Sequence, residues 1–155
     1  MKAGEIIQRW HQFNNGECAD KLFICLNDAD DKNPAVLVIT TSVQRQGQNS
    51  GAGCSHYQYG TYYVIHPSQA DCFKRLTFVQ LHRRWLFSVA DILKESLVKR
   101  NYVTIGTVSE QTLNAIIKCF DSSPDIDQLT RDIVQASRKA RQQPNKLNPL
   151  VERGN

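Results

Sequence analysis

The side chains in this sequence that could do chemistry on a phosphate or a base lie mostly between residues 45 and 84. His56 and Tyr57 stand in a stretch, residues 42–60, that carries four glycines and almost no aliphatic side chains. Tyrosines beside arginine and histidine can stack unpaired bases, and an imidazole there can move a proton near neutrality. His66 closes an apolar run just before Pro67. Lys74-Arg75 precede the run TFVQL and Arg83-Arg84 follow it, so positive charge flanks that run on both sides. Such a pattern suits a polyanion whose phosphates Lys and Arg neutralise. The glycine-rich stretch is not a phosphate cradle of known type, because it lacks GxxxxGK[ST] and opens no helix. The four histidines share no helical or short metal-ligand spacing. The five cysteines (Cys18, Cys25, Cys54, Cys72, Cys119) are odd in number, widely spaced and without a CxxC. Neither a metal, a cofactor nor a disulfide framework is therefore expected. Cys25 and Cys119 read as buried thiols among apolar neighbours, and Cys54 as the exposed one.

The elements that must hold these residues change period halfway along. Ile6-Ile7, LFICL (22–26), AVLVITT (35–41), TYYVIH (61–66) and TFVQL (77–81) are short and rich in β-branched or aromatic residues, which predicts strands; Trp85-Leu-Phe87 adds a short last one. NDADDKNP has the composition of a hairpin turn. Residues 42–60 read as one long surface loop. Ser88 caps a short helix. From Ser109, Leu113, Ile116, Ile117 and Phe120 fall at helical spacing, the clearest helix of the chain. Ser123-Pro124-Asp125 repeats the start signal for a helix running to about Arg141. The last residues, with two prolines and no periodicity, read as a flexible tail.

The totals bound the class. The chain has 155 residues, 41% hydrophobic and 22% charged, which is ordinary globular usage for one domain. No apolar run approaches the roughly 20 residues that span a bilayer, and the N-terminus has no apolar leader core; a cytoplasmic protein with no membrane partner is expected. The net charge of +4 is unevenly spread: residues 1–37 carry six acids against four bases, and residues 73–100 seven bases against two acids.

Gly4-Glu5-Ile6 opens the chain, Asp20-Lys21 precede LFICL, Ile39-Thr40-Thr41-Ser42 end the third strand, Val79-Gln80 stand inside TFVQL, and Ile105-Gly106-Thr107-Val108-Ser109 open the clearest helix. In that order these motifs resemble those of the MazF/PemK/Kid-type toxins, over roughly residues 4–120. The resemblance implies a β-rich α+β protein, a small SH3-like barrel of five to six strands with C-terminal helices. Residues 1–121 would form the barrel with its capping helix, 122–142 an additional helix, and 143–155 the tail. It further implies a metal-independent endoribonuclease that cleaves single-stranded RNA, an acidic antitoxin as partner, and a homodimer. By position Thr41 and Ser42 match the family's Thr-Ser pair and Lys21 stands where its arginine would. The chain departs from the family there, since lysine cannot make the bidentate grip of a guanidinium on phosphate, and at Val79, where the family has Asp. Arg45, just after the Thr-Ser pair, would supply the guanidinium from the loop. His56, Tyr57, His66, Lys74, Arg75, Arg83 and Arg84 would contact the RNA. The other reading is a barrel that binds nucleic acid or a protein without chemistry.

Overall fold

The computed structural model describes residues 1–99 and 101–143. Arg100 and the tail from residue 144 onward lie outside the described residues. Seven strands form one antiparallel sheet in the order β4-β5-β6-β3-β2-β1-β7. They are β1 (Glu5–Gln12), β2 (Cys18–Cys25), β3 (Ala35–Thr41), β4 (Gly53–Tyr57), β5 (Gly60–Ile65), β6 (Thr77–Phe87) and β7 (Val103–Thr107). Helices α1 (Val89–Lys99), α2 (Glu110–Ser122) and α3 (Gln128–Gln142) complete this α+β chain, with a 3₁₀ turn at Pro67–Gln69. No helix among the described residues is long and apolar enough to cross a membrane.

β3 is central and buried on both faces, which explains its continuous apolar run. Val36 and Val38 join Ile6, Ile24, Val79 and Leu81 in the larger core, under α2 and α3. Ala35, Leu37 and Ile39 face the other way, against Ile7, Phe23 and Ile92 of α1. Polar stitches fix both ends of the strand. Asn27, fully buried, accepts from Val36 N at 2.8 Å and donates to Pro34 O at 2.9 Å; Thr40 Oγ1 donates to Leu22 O at 3.0 Å.

Helix α2 buries Leu113, Ile116, Ile117 and Phe120, and Ser109 caps it by accepting from Thr112 N at 3.1 Å, as the spacing predicts. α3 starts later than Ser123 implies. Ser123 is fully buried and ends α2, and Asp127 is the cap, its carboxylate accepting from Thr130 N at 2.8 Å. Ile126 and Val134 sit in the same cluster as α2, so this helix is part of the main core and not an appendage.

Three further expectations change. The stretch 42–60 is not all loop: residues 53–57 pair with β5, from Gly53↔Val64 to Tyr57↔Gly60. Residues 103–107 form a strand along β1. The run from Thr77 to Phe87 is one strand of 11 residues in place of two short ones. It contains a large bulge: Ile39 faces Gln80 while the adjacent Val38 faces Arg84, leaving Leu81, His82 and Arg83 without partners on β3. A bulge of this kind re-aims side chains and bends the sheet.

Cys119, buried as expected, is not a thiol. It is bonded to Cys54 of β4, across 65 positions of sequence, and so clips the edge strand to α2. Wide spacing gave no sign of this pair, because α2 returns over β4 only in the folded chain. Cys25 is the buried thiol of the pair named from sequence, its pKa pushed up by burial to about 12. Closing a loop with this 65-residue separation removes about 4 kcal/mol of unfolded-state entropy. Dithiothreitol, or Cys54→Ser, is therefore expected to lower the urea midpoint by that equivalent, and identical midpoints with and without reductant would contradict the bond.

Candidate functional site

The first half of β2, the end of β3 and the turn before β6 line an open cleft of about 370 Å³. Lys21 comes from the start of β2, Thr41 and Ser42 from the end of β3, and Lys74 and Arg75 from the turn before β6. Five of the residues picked out by sequence thus meet in one place. The local reason is the stitch already described: Thr40 points back to Leu22 O, so the alternation of the strand turns Thr41 outward. Thr41 Oγ1 accepts from Val43 N at 3.1 Å, which fixes the oxygen and leaves its own hydrogen to donate. Thr77 Oγ1 donates to Arg75 O at 3.0 Å and sets the turn that carries the two bases.

Three cations and four hydroxyl-bearing residues (Thr40, Thr41, Ser42 and Thr77) line this cleft against one carboxylate, Asp20. None of the three cations has an ion-pair partner among the described residues; the salt bridges there involve Arg9, Arg84 and Arg141. Unpaired positive charge with hydroxyl donors is a receptor for phosphate oxygens. Cys72, which also lines the cleft, is held protonated, its pKa raised mainly by burial. No histidine lines it, and among the described residues no cluster of His, Cys, Asp or Glu could hold a metal.

The other named residues lie elsewhere. Arg45 does not line this cleft; its charge acts on Arg83 and His82. The loop carries it there because buried Gln48 accepts from Arg45 N at 2.7 Å and receives Gln44 Nε2 at its carbonyl at 2.6 Å. Tyr62, stacked within the sheet, anchors the next residue through Asn49 N. Arg84 turns to the opposite face and pairs with Asp127 at 2.7 Å, which holds that carboxyl well below the usual carboxylate range, helped by Thr130. His66 opens the 3₁₀ turn, its N–H donating to Gln69 Oε1 at 2.8 Å, and belongs to neither cleft. His56 and Tyr57 lie in a second cleft, at the turn of the β4–β5 hairpin.

One residue to which sequence reasoning gave no role feels both Lys21 and Arg83. His11 is 6% exposed and packs edge-on against Phe13, Phe23 and Trp85 at centroid distances of 4.9, 5.6 and 4.9 Å. Arg9 Nη1 donates to its Nδ1 at 3.4 Å. Burial, then the charges of Arg9, Arg83 and Lys21, lower its pKa. Lys21, whose ammonium lies 5.5 Å from the Phe13 ring, and Arg83 thus both act on the His11 ring. The alternation of Arg9, His11 and Phe13 along β1 was the available signal.

Compared with family models, with curated proteins and with solved structures, the chain matches none.

A neutral His11 has a consequence for stability. Its folded pKa lies below the unfolded value, so the unfolded chain takes up a proton first as pH falls. The contribution is complete above the ordinary imidazole pKa of about 6.5 and is lost as pH drops through it toward the lowered value. Urea midpoints measured from neutral to mildly acidic pH should fall toward acid, and His11→Leu should flatten that fall. A wild-type midpoint independent of pH in this window would contradict the burial of an uncharged ring.

Proposed function

We propose that this chain is a metal-independent endoribonuclease of the MazF/PemK/Kid kind, acting on single-stranded RNA at the cleft formed by Lys21, Thr41, Ser42, Lys74 and Arg75. The single observation that carries this reading is the meeting of those five residues around one open cleft whose cations lack counter-ions among the described residues. On the fold side, register shifts between Ile6 and Ile7 and between Val38 and Ile39 are irregularities of the kind that bend a sheet, and no ladder joins β4 to β7 among the described residues.

The reaction needs few parts. The ribose 2′-oxygen attacks the adjacent phosphorus, the O2′–P bond forms and the P–O5′ bond breaks, giving a 2′,3′-cyclic phosphate and a free 5′-hydroxyl. The proton leaves O2′ for a base and another arrives at O5′ from an acid. Asp20 is the carboxylate within the cleft that can take the first proton, and the Lys21 or Lys74 ammonium can give the second. Thr41, Ser42 and Arg75 stabilise charge on the non-bridging oxygens. The unpaired cations are also the surface that an acidic antitoxin segment would cover.

One observation favours the second reading, a module that binds RNA without cutting it: no imidazole lines the cleft to serve as the base. One assay separates the two. Purified protein in excess EDTA is incubated with end-labelled single-stranded RNA. The proposal predicts cleavage to cyclic-phosphate ends and a drop of roughly 10²-fold or more for Thr41→Ala. It also predicts a flatter salt dependence of binding for Lys74→Ala with Arg75→Ala, by about one unit of slope for each phosphate left unneutralised. Salt-sensitive binding without any cleavage selects the binding module. The absence of both binding and cleavage overturns both readings.

A further inference from the structure

We infer that the exposed indole of Trp10 is a base-stacking platform beside the first cleft. A single-stranded RNA whose phosphates meet Lys74 and Arg75 lays the base of one nucleotide on that ring. This role rests on the reading of the first cleft as an RNA site, and Trp10 itself does not line that cleft.

The direction of the indole follows from the alternation of β1. Ile7 packs in the smaller core, the Arg9 guanidinium lies 4.7 and 5.0 Å from the Phe87 and Tyr102 ring centroids, and His11 packs on Phe23 and Trp85. These three share one face, so Gln8, Trp10 and Gln12 share the other. The ladder to β2 sets Gln8 opposite Leu22 and Trp10 opposite Asp20. Residues directly opposite in an antiparallel pair lie on the same face, with Cα atoms about 5 Å apart. Leu22 and Asp20 both line the first cleft. Leu22 packs against the larger core, as do Cys72 and Phe73 of the turn that brings Lys74 and Arg75 to the cleft. The indole, the floor of the cleft and the basic turn thus lie on one face of the sheet, with Trp10 one strand beyond Asp20.

The backbone of Trp10 is held while its ring is left in solvent. β7 pairs with β1 only as far as Gln8. Past that point Trp10 N–H donates to Asn101 Oδ1 at 2.7 Å, and Asn101 Nδ2 donates to Glu95 Oε2 at 3.2 Å. Trp10 is 54% exposed, whereas the other tryptophan, Trp85, packs against the smaller core. Among the described residues no ring and no cation packs on the Trp10 indole. An indole left out of the core offers its face to a ligand, and every base has a π-face to match it. Asp20 repels a phosphate from the side of the indole, and Lys74 and Arg75 draw it to theirs. The base is then the part of the nucleotide turned toward Trp10. Gln8 and Gln12, on either side of Trp10 along the strand, each carry donors and an acceptor, so the platform holds a base without choosing among the four.

The test is fluorescence-anisotropy titration of the full chain at low salt with two strands of equal charge. One is a 2′-O-methyl hexanucleotide, which has no 2′-hydroxyl to attack; the other is the same length of abasic backbone. The base-bearing strand should bind more tightly. Trp10→Ala should weaken its binding roughly tenfold and leave the abasic strand unchanged, and Trp10→Phe, which keeps a ring, should recover most of the loss. Lys74→Ala with Arg75→Ala should weaken both strands. Salt-sensitive binding that needs Lys74 and Arg75 but ignores Trp10→Ala would overturn this inference and leave the reading of the cleft standing. No binding of either strand would overturn both. An equal loss for the two strands would make Trp10 a support of the fold, and binding that needs Trp10 but not Lys74 and Arg75 would cut the indole off from the cleft; each contradicts the inference. A Trp10→Ala chain that binds RNA like the wild type, but sediments as a monomer where the wild type is a dimer, would assign the ring to a second copy, also against it. The variants' urea midpoints serve as the check on folding.

Discussion

β3 is the constraint on which the rest of the molecule hangs. Residues 35–40 are all buried, alternately against the core under α2 and α3 and against the core beside α1. A strand apolar on both faces does not choose its register by pattern, since a slip of one residue exchanges one apolar set for another. Here polar bonds choose it. Asn27 ties Val36 N to the hairpin at the start of the strand, and the Thr40 hydroxyl ties Leu22 O to its end. Either bond would leave a buried polar group unpaired if the strand slipped, a cost of roughly 1–3 kcal/mol each. The same two bonds decide that Thr41 and Ser42 emerge at the rim with their oxygens outward, in the cleft that Lys21 of the neighbouring strand also lines.

The second organising feature is positive charge left without counter-charge. The acids are spent on structure: Asp127 caps α3 and holds Arg84, Glu95 meets Arg9 at 3.6 Å, and Asp28 and Glu110 approach Arg141 at 3.6 and 3.8 Å. Surface pairs of this kind contribute little stability, but they leave none of these carboxylates for Lys21, Lys74 and Arg75 at the cleft. A net charge of +4 gives a poor picture of such a surface, because Lys21, Lys74 and Arg75 line one cleft with a single carboxylate, Asp20, among them.

Much of the scaffold was legible in the sequence. The apolar run 35–41 and the helix after Ser109 needed only periodicity and a cap, because each is decided by a single dominant face or by burial on both. What escaped has a common cause in tertiary context. β4 is a strand of alternating half-buried and exposed residues whose partner and disulfide come from elsewhere in the chain, so composition alone made it loop. Asp127 caps α3 because Ser123 is buried beneath the end of α2, which a start signal of Ser-Pro-Asp cannot reveal. The bulge at residues 81–83 has no sequence mark, yet it reverses the alternation of β6: Val79 and Leu81 face the larger core, while Trp85 and Phe87 face the other. Of the cleft, the hydroxyl pair was named through the motif order and the basic turn at 74–75 through the charge that flanks TFVQL. His11, Gln48 and the displacement of Arg45 were not, because their roles depend on which side chains the loop and β1 meet once folded.

If the rim at the end of β3 is where this protein meets its ligand, RNA must perturb that rim before any other part of the sheet. Amide chemical-shift mapping with a short single-stranded RNA tests this residue by residue. The largest shifts are predicted at Lys21, Thr41, Ser42, Lys74 and Arg75. Shifts confined to α1 or to β7 at the far edge, with those five amides unmoved, would contradict it.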